Sequence, residues 1–319
     1  MPIARRALLG AAALAPFAGP RLAAAQARYP LNPVTMVTHS SPGGGSDVFL
    51  RELIKHLTPV MGTSFAVENI RGGSGAQAMA RVARSRPDGG MFYATTPTYI
   101  QTSLLSRVEV GWDQLDPMAI VFLDPTVLYT RTESPHRTLA DVIAAARAGR
   151  GRWGAANPAS LERITLERLN RLTGARAAVV SHEGGGDLMI NVLNGTLDMG
   201  VGEPQELRAQ LEANKVRLLA VVGADRLKAF PDMPTAREAG IDLVVTKFRG
   251  LAGPKGMPDE LAQQWHSALR QVLDSPAYRA IYEPEALVPA LMGREEARRF
   301  TTEFATQLTA SLRELGVVR

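Results

Sequence analysis

The chain has no cysteine. A disulfide framework, a thiolate metal site and a lipid-bearing cysteine are therefore excluded, and buried apolar surface has to hold the fold together. An excess of charge of one sign is also missing. Lys and Arg number 36 against 31 Asp and Glu, and Arg5, Arg6 and Arg21 lie in a first stretch of 27 residues that contains no acid, so beyond it the net charge falls from +5 to +2. No block of Lys and Arg and no aromatic-interleaved basic stripe compensates locally, which argues against nucleic acid as a partner. Histidine is sparse at five residues, and His136, His182 and His266 are scattered without metal-ligand spacing or a serine–histidine–acid order. No metal, no cofactor and no catalytic residue is predicted.

Long apolar runs are absent too. Ala7 to Phe17 carries no charge, follows Arg5-Arg6 and leads past Pro16 and Pro20 to the small residues Ala23-Ala24-Ala25-Gln26-Ala27. Such a segment reads as an export signal, residues 1–27, too short to remain as a membrane span, with cleavage after Ala27. The arginine pair weakly resembles a twin-arginine signal, but no Ser or Thr precedes it, and the general secretion route stays open. The mature chain of 292 residues is expected to be soluble and monomeric. Its length lies near the roughly 250–300 residues at which single cores divide, which predicts two domains.

What is present is an alternation. Apolar Val34 to Thr38 precedes a Gly-rich loop, an amphipathic stretch from Asp47 to Met61, a short strand Phe65 to Glu68, another Gly-rich loop, a helix Ala76 to Arg84 and a strand Met91 to Thr95. This β-α-β-α-β order predicts a parallel sheet. Leu50, Leu53, Ile54 and Leu57 recur at helical spacing and form a core stripe. After strand Met118 to Leu123, Asp124-Pro125 leads into Thr126 to Thr130, a first crossing into a second body, where Thr138 with Asp141 makes a helix start and the alternation resumes. Strand Lys247 to Leu251 returns, and helices near Asp259–Leu273, Pro276–Tyr282 and Arg294–Leu315 cover the first sheet. The prediction is a hinged clamshell of two α/β lobes joined by two hinge strands, with lobe 1 at 28–124 and 248–319 and lobe 2 at 125–247.

Two turns echo each other: Ser40-Ser41-Pro42-Gly43-Gly44-Gly45-Ser46-Asp47 and His182-Glu183-Gly184-Gly185-Gly186-Asp187. Each follows a strand and precedes a helix, the position where ligands gather in parallel α/β sheets. Glycine permits positive φ and leaves no Cβ in the way, so successive N–H groups can converge on an anion with help from the helix dipole. Two such nests on facing lobes would bridge a molecule carrying a carboxylate at each end, with Asp47 and Asp187 as helix caps that hold the nests in shape. Gly72, Gly73 and Ser74 can add donors from a third loop beside Arg71, which can equally be an ordinary surface charge. Asn157 and Ser160 can contact ligand or form a turn and a helix cap. Arg249 can grip a carboxylate or form a salt bridge across the hinge.

Two imitations fail on spacing. Counting a dinucleotide fingerprint from Gly43 and Gly45 puts Val48 where a third glycine is needed. Gly72-Gly73-Ser74-Gly75-Ala76 nearly spells a hydrolase elbow, but Ala76 replaces its last glycine; an exported serine hydrolase using Ser74 is the enzymatic alternative.

Taken together, Tyr29-Pro30 with Pro33-Val34, Pro42 to Asp47, Val67-Glu68-Asn69, Arg86-Pro87-Asp88-Gly89, Gly195-Thr196-Leu197-Asp198, Arg217 to Val221, Met233 to Gly240 and Gly253-Pro254-Lys255-Gly256 resemble the extracytoplasmic solute receptors of tripartite tricarboxylate transporters, the Bug receptors, over nearly all the mature chain. The resemblance implies a periplasmic binding protein type II-like clamshell that carries a small carboxylate to membrane permease subunits. Gly184 to Gly186, Gly200-Val201-Gly202-Glu203 and Arg249-Gly250 look closer to the tricarboxylate-binding branch, citrate being one such ligand, while relatives take dicarboxylates, amino acids or aromatic acids. Two departures stand out. Phe248 occupies an aromatic position that is often tryptophan, and Gly90-Met91-Phe92-Tyr93 replaces the usual run after Asp88-Gly89. A receptor of this kind can also feed a membrane sensor kinase.

Overall fold

The computed structural model describes Tyr29, residues 31–245 and residues 247–314. The export signal and the chain end lie outside the described residues. In chain order, β1 (Val34–Thr38), α1 (Gly45–Met61), β2 (Phe65–Asn69), α2 (Ala76–Ala83), β3 (Met91–Thr95), α3 (Pro97–Leu105) and β4 (Leu115–Asp124) come first. Next are β5 (Val127–Arg131), α4 (Leu139–Arg147), β6 (Arg152–Ala155), α5 (Leu161–Thr173), β7 (Ala178–Ser181), α6 (Gly185–Leu193), β8 (Met199–Gly202), α7 (Pro204–Glu212) and β9 (Val216–Val221). The chain closes with β10 (Lys247–Pro254), α8 (Asp259–Asp274), α9 (Pro276–Tyr282), β11 (Val288–Met292) and α10 (Arg294–Glu314).

The strands form two sheets, β11-β4-β10-β3-β1-β2 and β7-β6-β8-β5-β9. Within the first, β2-β1-β3 is parallel, as the alternation predicts, while β10 lies antiparallel to both β3 and β4. In the second, β7-β6-β8 is parallel and β5 is antiparallel to β8 and β9. This is a two-lobed α/β clamshell. The antiparallel strands are those adjoining the passages between sheets: β4 runs into β5 through Pro125-Thr126, and β10 returns the chain from the second sheet.

Each helix is in place for a local reason. Leu50, Leu53 and Leu57 of α1 are fully buried with Phe49 against Phe122 and Trp265, and burying a leucine contributes about 1.5–3 kcal/mol. Gly62 ends α1 in the left-handed conformation, with φ 61°. Thr138 and Asp141 form a reciprocal capping box on α4, with Asp141 N–H donating to Thr138 Oγ1 at 3.1 Å and Thr138 N–H to Asp141 Oδ2 at 2.9 Å. Helices α8 and α10 cover the first sheet, α8 through Trp265 and Leu269, α10 through Phe300 and Phe304, which meet Phe248 edge-on. Two elements go beyond the sequence reading: α3, which starts on Pro97, and β11, a short edge strand.

Candidate functional site

Both triglycine turns leave the carboxyl ends of parallel strands, β1 and β7, and enter α1 and α6. The structure sets them face to face. A Cβ on Gly184 would stand 2.6 Å from the backbone nitrogen of Ser41, one on Gly186 would collide with the carbonyl oxygen of Pro42, and one on Gly44 would lie 3.3 Å from the nitrogen of Gly185. Glycine is thus required here chiefly because two backbones from different lobes touch. Positive φ is used only at Gly43, at 80°; Gly44 has φ −80°, Gly184 is extended at 172°, and Gly45, Gly185 and Gly186 already belong to the first turns of their helices. The predicted nest of left-handed glycines gives way to two opposed helix amino-termini, whose first-turn N–H groups have no intrahelical acceptor.

The two aspartates are not caps. The cap residues are Gly44 and Gly184, so Asp47 and Asp187 fall three residues further on, inside the first turns. Asp47 turns to its own loop, where Oδ2 accepts from Gly43 N–H at 2.9 Å while Arg51 and Asn69 donate to the carboxylate at 2.9 Å each. Against burial, which raises it, these donors hold its pKa below the usual carboxylate value. Asp187 pairs with Arg71 at 3.2 Å across the cleft rim, both side chains being partly exposed, so Arg71 is a surface charge with a partner on the other lobe.

Between the turns lies a cavity of about 30 Å³, lined by Gly45, Ser46, Gly184, Gly185, Asn157 and Glu203 among the predicted residues. That volume holds little more than a water or two. Ser41, Gly44 and Gly186 form the contact beside it, whereas Gly43 is exposed with open space where a Cβ would stand. Gly72, Gly73 and Ser74 stand outside: Ser74 has φ 52° in a 3-10 turn, accepts Thr102 Oγ1 on its carbonyl at 2.6 Å and takes the Ala159 N–H on its hydroxyl at 3.3 Å. Ser160 is the cap of α5, its Oγ accepting Arg163 N–H at 3.1 Å. Asn157, by contrast, is buried with an Oδ1 that has no hydrogen-bond partner.

Sequence reasoning missed His39, Ser40, Thr96, Thr98, Glu162, Glu206 and Lys247, all of which line the cavity. Lys247 and Arg249 alternate on β10 and so share one face, a signal present in Lys247-Phe248-Arg249. Glu206 is signalled by Glu203-Pro204-Gln205-Glu206, a capping box on α7 in which Glu203 is the cap.

These groups form a buried charge cluster. Arg249 is 2.7 Å from Asp124 and 3.2 Å from Glu203, and stacks over Phe49 with its guanidinium carbon 5.6 Å from the ring centre. Lys247 is 2.6 Å from Glu162 and also pairs with Glu203, which thereby bridges both cations. Arg249 therefore resolves as an internal salt bridge at the hinge. Glu206 reaches across the cleft and accepts the Gly45 N–H on Oε2 at 2.8 Å.

Burial pushes the Asp124 carboxyl up to about 7 despite the guanidinium beside it, and burial together with the Glu203 charge drives Glu206 well above the carboxylate range. Glu162 is the reverse case: against burial, the Lys247 ammonium holds it at about 2. Burial, then Lys247, lowers His39 to about 4, so its imidazole is neutral at neutral pH and shares a 2.7 Å hydrogen bond with the Tyr93 hydroxyl.

Two α/β lobes that close a polar cavity at their hinge, with helix amino-termini on opposite walls, define a solute-binding receptor of the periplasmic type. Residues 49–317 match the sequence profile described as tripartite tricarboxylate transporter family receptor. The chain belongs to that family. It is similar in fold to the periplasmic binding protein BugD (21% identity, TM-score 0.85, covering 91% of this chain and 99% of that one). It is likewise similar to an R. palustris protein with adipate (24%, 0.84, 91% and 99%) and to MatC from Rhodopseudomonas palustris with bound malate (22%, 0.80, 91% and 100%). The family and these neighbours are solute-binding proteins rather than enzymes, which sets aside the serine hydrolase reading of Ser74. Among the described residues no helix is long and apolar enough to cross a membrane.

Proposed function

We propose that this chain is exported by residues 1–27, captures a small organic carboxylate between lobes 28–124 plus 248–319 and 125–247, and delivers it to the permease of a tripartite tricarboxylate transporter. One observation carries the reading: the amino-terminal turns of α1 and α6 abut a single cavity from opposite walls. The adipate and malate named with two structural neighbours support a dicarboxylate over a tricarboxylate. A cavity of about 30 Å³ is too small for either, so ligand exchange needs the lobes to part. Charge-assisted hydrogen bonds at about 1.5–3 kcal/mol each would let an acid bound by both walls favour the closed form.

The test is a thermal-shift screen across dicarboxylates, tricarboxylates, aromatic acids and amino acids. At least one compound is expected to raise the melting temperature strongly, since a ligand at a hundred times its Kd adds about 2.7 kcal/mol. Silence across the whole panel would overturn the reading.

A further inference from the structure

A cavity of about 320 Å³ opens where the lobes meet outside the cleft. Its walls come from both: α3 and α10, which pack on the first sheet, and α5, which packs on the second. It adjoins the cleft, since Asn157 and Glu162 line the cleft while their neighbours Pro158 and Arg163 line this cavity. The two lobes bring different chemistry to it. The first offers only apolar side chains, Leu105 at the end of α3 and Leu312 of α10, the latter 1% exposed. The second adds Pro158 and Ile164 together with three guanidiniums, Arg163, Arg168 and Arg171, against one carboxylate, Glu167. Arg163 takes that carboxylate, donating to Glu167 at 2.8 Å and to the Ser181 hydroxyl at 3.0 Å. The other two cations are left without an anion. Arg168 has a long 3.5 Å contact to the Val244 carbonyl, and Arg171 forms no ion pair or hydrogen bond among the described residues.

We infer that this seam cavity is a further binding site, for a small amphipathic anion: a monocarboxylate whose head is received by Arg168 and Arg171 and whose alkyl or aryl body lies on Leu105, Ile164 and Leu312. The volume is that of a small-molecule site, and the make-up is the usual one, a mostly apolar wall with a few placed polar groups. A guanidinium cannot shed its charge, so both arginines stay cationic beside the apolar floor, and each can give a carboxylate charge-assisted hydrogen bonds. A dicarboxylate of the kind proposed for the cleft fits poorly, because its second charge would be set on leucine and isoleucine without a partner. Neither lobe serves such a molecule alone: the head needs α5, and the body needs α3 and α10. Its binding therefore ties the lobes together at a point outside the triglycine turns, whichever solute the cleft takes.

Titration calorimetry of the full mature chain with octanoate tests this, with acetate as the charge lacking a body and octanamide as the body lacking a charge. Octanoate is expected to bind with a Kd below about 1 mM, roughly tenfold or more tighter than either control. Arg168→Ala and Arg171→Ala, at partly exposed positions where folding tolerates the change, should each weaken octanoate about fivefold or more, and Leu105→Gln should do the same from the other lobe. No binding of octanoate at that concentration, octanamide equal to octanoate, or an affinity that all three variants leave unchanged overturns the inference; the last result would place octanoate elsewhere, the cleft included. Binding of the chain to phosphatidylglycerol vesicles without binding of free octanoate overturns it too, in favour of a membrane contact. The carboxylate receptor stands in each of these cases, since it is the thermal-shift screen that decides it.

Discussion

At the residue scale the site is governed by a few buried charges that have no water to fall back on. Arg249 is 1% exposed and is the shared partner of Asp124 and Glu203, so Arg249→Ala should cost about 3–5 kcal/mol in chemical denaturation, most of it from two carboxyls left uncompensated. A loss under about 1 kcal/mol would mean that the cluster is solvated in solution. The glycines act through space rather than dihedral freedom. Gly184→Ala and Gly186→Ala place a methyl against Ser41 and Pro42 of the other lobe, in backbone conformations any residue adopts. They should prop the cleft open: the ligand-induced thermal shift is expected to disappear while the melting temperature without ligand moves by no more than about 2 °C. Equal ligand shifts in variant and parent would show that the turns do not close on the solute.

At the scale of elements, stability and binding should separate. Thr138→Ala removes the cap of α4, far from the cavity, and should cost about 1 kcal/mol with an unchanged Kd for any ligand found. That cap was legible in the sequence because capping is local, and so was the α1 stripe, because Leu50, Leu53 and Leu57 follow helical spacing. The placement of both triglycine turns at strand ends was legible for the same reason. Their chemistry was not. Whether a glycine serves a positive φ or a close approach depends on what faces it, and Ser41 meets Gly184 only after some 140 residues have folded between them. Glu162, Glu206 and Lys247 went unread likewise, since an acid in the first turn of a helix ordinarily marks a solvated end. Here lobe closure buries it. Ser160 resolves as the helix cap that its sequence offered beside a ligand contact, while the Ser74 hydroxyl takes a backbone N–H from Ala159, a contact that sequence spacing does not reveal.

At the scale of the whole molecule, stability is coupled to protons. Asp124 titrates at about 7 in the fold against 3.8 unfolded, so its contribution is present below about pH 4 and is lost as pH rises to 7; Glu206, also raised, works in the same direction. His39, at about 4 against 6.5, contributes above 6.5 and loses that contribution as pH falls to 4, and Glu162, at about 2, loses its own only on further acidification. The opposing groups flatten the profile of the parent protein. The difference between the parent and Asp124→Asn removes the shared contributions, and the parent's relative melting temperature should fall steadily between pH 4 and pH 7. A constant difference across that window would mean that Asp124 does not change protonation in the fold.

The hinge itself carries these groups. Asp124 lies opposite Lys247 where β4 pairs with β10, so motion of one lobe against the other works directly on the charge cluster. The contacts Arg71–Asp187, Arg208–Glu285 and Gly45–Glu206 link the two lobes and would have to break for the lobes to part around a ligand. The most direct test of that motion follows the backbone amides of Gly45, Gly184 and Gly185 by nuclear magnetic resonance while an acid identified by the thermal screen is added. The account predicts that amides from both walls shift along a single binding curve. Shifts confined to one wall, or none at these glycines while the protein is saturated, would contradict it.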